Sequence, residues 1–282
     1  LVDGSSYLYR AFHALPPLST SRGLPTGAVL GFASMLLKVV RERRPEYLGV
    51  AFDGPGPTVR HQAYAEYKAQ RPPMPEDLAR QIPFVLRVVE ALLVPLLMVE
   101  AEEADDILAT LARAARGAGV PAVIVTGDKD LLQLAGEGIT VYDPMRDAWY
   151  DRAAVEGRYG VPPEALVDLF ALTGDAIDNV PGVPGVGEKT ARTLLRDFGS
   201  LDQLLANLAK VGRPKLRDAL AAHADQVRQS RELVRIRTDV PLPVTLEGLR
   251  RRPPDAEAFL ALCRELELNR LSASFAQADL LG

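Results

Sequence analysis

Carboxylates recur in this sequence wherever a short apolar run stops. Asp3 follows Leu1-Val2, and Asp53 closes Val50-Ala51-Phe52. Val99 is followed by Glu100, Glu102, Glu103, Asp105 and Asp106, and Ile124-Val125 runs through Thr126-Gly127 into Asp128 and Asp130. In open α/β sheets the carboxyl ends of the strands face one crevice, so acids at those ends converge. Carboxylates brought together repel one another and hold their protons more tightly, so such a group calls for cations. Oxygen-only donors suit hard ions, Mg²⁺ or Mn²⁺, better than zinc. Each acid taken singly also has a plain structural use. Asp128 could cap a helix over Lys129–Leu134, and the helix dipole could explain the acids at 102–106. Capping does not explain four successive runs that end in acid. Position alone also keeps Glu102 in contention, and Asp143 after the weaker run Ile139–Tyr142.

Two further segments carry chemistry-bearing residues. Asp175 and Asp178 stand three apart in Thr173-Gly174-Asp175-Ala176-Ile177-Asp178-Asn179, a spacing that puts both on one face of a helical turn. The turn Gly182-Val183-Pro184-Gly185-Val186-Gly187 then leads through Glu188, Lys189 and Thr190 into an apolar helix. Gly182 and Gly187 have the spacing of a nucleotide-binding P-loop. Glu188 stands where that motif needs Lys, however, and no strand precedes it. A tight hairpin between two helices fits better, its amides free to meet a phosphate or merely joining the helices. The stretch Tyr64–Pro75 is basic and aromatic (Tyr64, Tyr67, Lys68, Arg71) and long for a strand-to-helix connection; long ordered insertions are usually functional.

The elements that must position these groups follow from periodicity. Leu48–Phe52, Leu96–Val99, Ala122–Val125 and Ile139–Tyr142 read as strands, with Leu1-Val2 the stub of another. Helical patterns cover Ala28–Arg41, Glu76–Leu93 and Asp105–Arg116. Continuous apolar strands alternating with helices predict an α/β fold with a central, mostly parallel sheet flanked by helices. From about Thr173 the pattern changes to short helices and Gly/Pro turns. The expected organisation is an α/β core over 1–172 and a helical lobe over 173–282, with a last helix at Asp255–Glu267 after the loop-like run Arg250-Arg251-Arg252.

Length and composition (282 residues, 48% hydrophobic) allow a sizeable core. No stretch of about 18 apolar residues predicts a membrane span, no signal-like segment opens the chain, and a cytoplasmic protein is expected. The single cysteine, Cys263, sits in an apolar helical pattern and reads as core. The net charge of −4 does not exclude nucleic acid. Setting nine of the 37 acids aside for metal leaves fewer acids than the 33 Lys and Arg.

As an ordered set these motifs resemble the 5′-nuclease domains of bacterial DNA polymerase I and the wider flap endonuclease family, over nearly the whole chain. The resemblance rests on Leu1–Ser6, Ala51-Phe52-Asp53, Tyr67-Lys68 with Arg71-Pro72-Pro73, Glu103–Asp106, Thr126–Asp130, Leu172–Asp175 with Asp178-Asn179, and Pro181–Ala191. It implies a PIN-like fold and a structure-selective phosphodiesterase for DNA 5′ flaps, 5′ ends and RNA primers, in replication and repair. Asp3, Asp53, Glu103 and Asp105 would surround one ion. Asp128, Asp130 and Asp178 would hold a second, with Asp175 and Asp106 close by. Arg60, Lys68 and Arg71 match basic residues near the scissile phosphate, and Tyr67 an aromatic that stacks on a terminal base. An arch over about 60–82 would pass single strands. The segment at about 180–198 resembles a helix-hairpin-helix that grips duplex phosphates with K⁺, which assigns Gly182, Gly185, Val186, Gly187, Lys189 and Thr190 to DNA. A monomer is expected, free-standing or fused to a C-terminal polymerase. One departure stands out: Gly54-Pro55-Gly56 lacks a lysine often found after the second aspartate.

Two ions roughly 4 Å apart would activate a water and stabilise the leaving oxygen, with Lys68 and Arg71 offsetting charge on the phosphate. Two rivals stay open, an RNA-cutting enzyme of the related PIN type and a non-catalytic DNA-binding domain whose acids are caps.

Overall fold

A computed structural model describes residues 1–277; positions 278–282 of the expected helical lobe lie outside the described residues. The chain forms two compact units that interleave along the sequence. The first comprises Leu1–Pro55, Pro73–Ala115 and the residues from Asp239; the second comprises Gly56–Pro72 and Arg116–Thr238.

In the first unit, β1 (Val2–Asp3), β2 (Val50–Ala51) and β3 (Leu96–Leu97) pair in parallel in the order β3-β2-β1. Val2, Val50, Ala51 and Leu97 are all buried, as strands covered on both faces must be. Helices Gly4–Ala14, Gly27–Arg43, Ile82–Ala91 and Ala104–Gly117 supply the cover. Phe32, fully buried, stacks on Phe52 at 5.9 Å and meets the edge of Tyr7 at 6.3 Å.

The helix expected over Glu76–Leu93 is broken into Glu76–Ala79 and Ile82–Ala91. Pro83 explains the break, because a continuous helix would need the N–H that proline lacks and would drive its ring into the preceding turn. The interruption is put to use. Gln81 is buried there, and its Oε1 accepts from the amides of Ala28 (2.8 Å) and Val29 (3.3 Å). It thereby caps Gly27–Arg43, whose own N-cap, Thr26, makes no side-chain bond. The last expected helix is present as Ala256–Glu265, capped by Asp255 and tied to Ile82–Ala91 by a bidentate Arg87–Glu265 pair. Cys263 lies in its buried face, where burial pushes the thiol up to about 11. The exposed Arg250 guanidinium, in the run read as loop-like, meets Glu46 and Glu247 and lies over the Tyr47 ring.

In the second unit, β4 (Ala122–Val125) and β5 (Ile139–Asp143) are parallel, and β6 (Ala148–Tyr150) runs antiparallel to β5. Sequence periodicity missed β6, which is three residues long and half-exposed, so no apolar run marks it. Asp143 organises the turn before it, accepting from the Met145 amide with Arg146 beside its other oxygen. No strand follows Tyr150 among the described residues. Helix Leu166–Thr173, buried along nearly its whole length, packs against Glu188–Phe198 and Ala224–Val234. The expected fold class holds: parallel strands between helices, one antiparallel edge, and a helical C-terminal region. No helix among the described residues is long and apolar enough to cross a membrane.

Candidate active site

In the first unit Asp3 and Asp53 each accept from a backbone amide. Asp3 ends β1, is buried, and accepts from the Ser6 N–H at 2.8 Å as the N-cap of Gly4–Ala14. Asp53, exposed just beyond β2, accepts from the Ala104 N–H at 2.9 Å, at the start of Ala104–Gly117. Its own N–H donates to Ser5 Oγ at 3.1 Å. Asp105 and Asp106 lie in the first turn of that helix, and Glu103 just before it; Glu103 and Asp106 are buried. Asp3 and Asp53 thus both accept from amides at helix starts, the capping use weighed for such acids. The helix N-terminus lowers the cost of burying charge, and one loop carries Asp53 to the start of the helix that bears the other acids.

That loop depends on Gly54, whose importance the sequence did not reveal. Its N–H bonds to the Glu102 carbonyl, and the Ala101 N–H bonds to the Pro55 carbonyl. A Cβ on Gly54 would lie 1.7 Å from the Val99 carbonyl oxygen. Two backbone segments thus approach more closely there than a residue with a Cβ allows.

In the second unit Asp130, Asp175 and Asp178 meet cations. Asp128 follows β4, and its Oδ1 accepts from the Asp130 N–H at 2.9 Å in a turn leading into the short helix Asp130–Leu134, whose N-cap is Lys129 rather than Asp128 as the capping alternative had it. Lys129, between them in sequence, bonds to both Asp130 and Asp175 and lies over the Phe170 ring. Burial and the charge of Asp128 push the Asp130 carboxyl up to about 7, against the pull of Lys129. Asp128 is exposed as a residue, yet desolvation of its carboxyl and repulsion from Asp178 also raise its pKa. Asp175 moves the other way: burial opposes the shift, but the Lys129 ammonium keeps its carboxyl ionised.

Asp175 and Asp178 sit in a turn closed by reciprocal bonds between the backbones of Asp175 and Val180, 2.8 Å each. The basic segment is fastened onto this turn. The Lys68 amide, at φ +56°, donates to the Asp178 carbonyl, Gln70 to the carbonyls of Ala176 and Ile177, and Asn179 to that of Glu66. Arg71 binds Asp178 Oδ1 at 2.6 Å, while Lys68 Nζ stands 3.8 Å from Oδ2. Lys68 and Arg71 are therefore together at Asp178.

Tyr67 is placed differently from a stacking platform. It is buried, edge-on to His61, with its hydroxyl donating to Asp178 Oδ2 at 3.1 Å. Arg60 is likewise buried, its guanidinium donating to the carbonyls of Leu233 and Arg235 at the end of Ala224–Val234. Free carbonyls at a helix C-terminus are the natural partner for a buried guanidinium, and in this arrangement Arg60 is a structural clamp.

Among the described residues, no three His, Cys, Asp or Glu side chains are grouped so as to hold one ion. In the second unit the reason is visible: the oxygens of Asp130, Asp175 and Asp178 are turned toward Lys129, Arg71 and Tyr67.

The glycine turn separates into three tasks. A Cβ on Gly182 would lie 2.3 Å from the Thr173 carbonyl, so Gly182 packs backbone on backbone at the base. Gly185, at φ +79°, makes the turn, and Gly187 caps Glu188–Phe198 with open space above it. Val186 is buried, Thr190 half-buried and Lys189 exposed. The open surface is therefore at Gly185, Gly187 and Lys189.

The fold itself has counterparts among solved structures. The T5 D15 protein co-crystallised with metal ions matches 98% of this chain and 97% of its own with a TM-score of 0.73, at 18% identity. The catalytic core of Rad2 in complex with DNA substrate matches 94% and 86% with a TM-score of 0.64, at 17% identity. These matches show a shared α/β fold. Sequence narrows the class. Residues 1–160 match the family described as 5′-3′ exonuclease, N-terminal resolvase-like domain, and residues 161–257 match the 5′-3′ exonuclease C-terminal SAM fold. The Aquifex aeolicus 5′-3′ exonuclease is 41% identical over 271 residues, 96% of this chain and 92% of that protein. DNA polymerase I of Pseudomonas aeruginosa is 49% identical over 95% of this chain, which spans about a third of the polymerase (30%). This chain belongs to the 5′-3′ exonuclease family.

Proposed function

We propose that this chain is a structure-selective 5′ nuclease that hydrolyses phosphodiester bonds at DNA 5′ flaps and 5′ ends, and in RNA primers, with two Mg²⁺ or Mn²⁺ ions. The observation that carries this reading is the crowding of carboxylates at the end of β4, which drives the Asp130 carboxyl to about 7. A family nuclease needs that much concentrated negative charge only if cations neutralise it. The donor set is all carboxylate oxygen, which fits hard divalent ions. Asp3, Asp53, Glu103 and Asp105, with Asp106 beside them, would hold one ion within the first unit. Asp128, Asp130 and Asp178, with Asp175 beside them, would hold the other within the second. Such ions supply an acidified water and charge neutralisation at the leaving oxygen.

The chain's own residues do the rest. Lys68 and Arg71 offer charge to the phosphate when Asp178 is engaged elsewhere, leaving a 5′-phosphate and a 3′-hydroxyl. Gly185, Gly187 and Lys189 present amides and an ammonium to duplex phosphates, with K⁺ as the monovalent ion of the hairpin. Tyr67 reaches a base only by leaving its contact with Asp178.

The test is purified protein with Mg²⁺ on a 5′-flap DNA, a blunt duplex and a single-stranded RNA. Cutting near the flap junction, abolished by EDTA, is expected. An intact flap beside degraded RNA would establish the PIN-type ribonuclease instead. Flap binding without any cleavage would favour the non-catalytic reading, for which the capping bonds of Asp3 and Asp53 speak.

A further inference from the structure

The helix Ala224–Val234 belongs to none of the motifs, yet its side chains and its end reach the glycine turn, the helix that precedes the basic segment and the short helix that Asp130 begins. Near its start, Gln226 Nε2 donates to the Gly182 carbonyl at 3.1 Å. One turn on, Ser230 is buried and its hydroxyl donates to the Pro181 carbonyl at 2.7 Å. These two bonds fix the base of the glycine turn. Gln229 Nε2 donates to the Ala63 carbonyl at 3.3 Å, at the end of the short helix Val59–Ala63 that leads into the basic segment.

The C-terminal end of the helix is gripped from the other side. Arg60, within Val59–Ala63, donates to the carbonyls of Leu233 (2.8 Å) and Arg235 (2.6 Å). Gln133, in the short helix that Asp130 begins, donates to the Val234 carbonyl at 2.7 Å and accepts from the Ile236 amide at 3.4 Å. Carbonyls at a helix end need partners. Here the partners come from the segments that carry the basic residues and the acids.

An α-helix is stiff and rises about 1.5 Å per residue, so a body held at both ends fixes the separation of whatever is attached. We propose that Ala224–Val234 is a ruler that sets which phosphodiester is cut, with Ser230, Gln226 and Gln133 as positioning residues. It joins the duplex-gripping turn to the acids Asp128 and Asp130. Successive nucleotides of a strand lie about 3.4 Å apart along a duplex, so a loosened attachment of that size moves the cut by one position. The inference rests on the nuclease reading and gives that reading its register.

The experiment is a product-length analysis of the full chain on an end-labelled 5′-flap DNA with Mg²⁺. The unsubstituted protein is expected to give one dominant product. Ser230→Ala and Gln226→Leu are each expected to raise the share of products cut one or two positions away by at least about threefold, with melting temperatures within a few degrees. Arg228→Ala, on the exposed side of the same helix, should keep the original distribution. A protein that is merely destabilised loses active molecules without changing where the rest cut. Unchanged product lengths in both folded variants, with only a lower rate, would overturn the ruler. Intact flaps with the unsubstituted protein would overturn the nuclease reading itself, a distinguishable failure.

Discussion

The two units hold their acids by different means. In the first, Asp3 and Asp53 lean on the neutral amides of Ser6 and Ala104 at helix starts. In the second, Asp130 and Asp175 lean on Lys129, and Asp178 on Arg71, Lys68 and Tyr67. A backbone amide fixes a carboxylate and leaves its remaining lone pairs for a ligand. A flexible ammonium or guanidinium competes for the same oxygens that an incoming cation would take. Asp130, Asp175 and Asp178 must therefore exchange internal cations for external ones before they hold a metal.

The largest expected effect breaks both groups alike. Asp53→Asn and Asp128→Asn should each cost about 100-fold or more in cleavage rate, with flap binding in Ca²⁺ nearly unchanged. Rapid cleavage by either variant would remove that residue from the site. Next comes a structural break confined to the first group. Gly54→Ala should destabilise by about 2–4 kcal/mol, because its Cβ meets the Val99 carbonyl; chemical denaturation measures this.

A finer test separates the groups by their partners. Tyr67→Phe removes one donor from Asp178 without changing charge. Mn²⁺ affinity, read by calorimetry, should tighten by about 3–10-fold, the size of one hydrogen bond to a charged acceptor. Unchanged affinity would mean that Tyr67 does not compete.

The smallest effect is a pH dependence. The Asp130 carboxyl stands near 7 in the folded chain against 3.8 as its ordinary value. At this group the folded state thus binds more protons between those values, and its contribution to stability falls as pH rises from about 4 to about 7. In EDTA at pH 8, Asp130→Asn should raise the melting temperature by a few degrees, on the order of 1–3 kcal/mol, and the gain should vanish by pH 4. A gain equal at both pH values would argue against buried like charge as its origin.

Much of this was legible in the sequence, because apolar runs mark strands and the acids at their ends are visible without knowing the fold. The strands at 122–125 and the helix at 104–117 fall where periodicity placed them. What escaped has a common cause, since it depends on partners far along the chain. Gln81 capping a helix more than 50 residues earlier, Arg60 and Gln133 on one helix end, and Ser230 on the glycine turn have no local pattern. Tyr67 and Arg60 were legible as types in a basic, aromatic stretch, but burial decides what such side chains face. Gly182, Gly185 and Gly187 look equivalent in sequence, and only their surroundings assign packing to one, turning to another and open amides to the third.

Cys263 has a practical consequence. It is the only cysteine in the chain, and it is buried with its thiol pushed up to about 11, so at neutral pH it stays protonated and out of reach of maleimides. Any cysteine introduced on the surface would then be the sole site of attachment for a fluorophore or spin label. Ile177 is a fitting position, 68% exposed on the turn between Asp175 and Asp178. A probe at Ile177→Cys would report the mobility of that turn as divalent ions are added, without first stripping the protein of its native thiol.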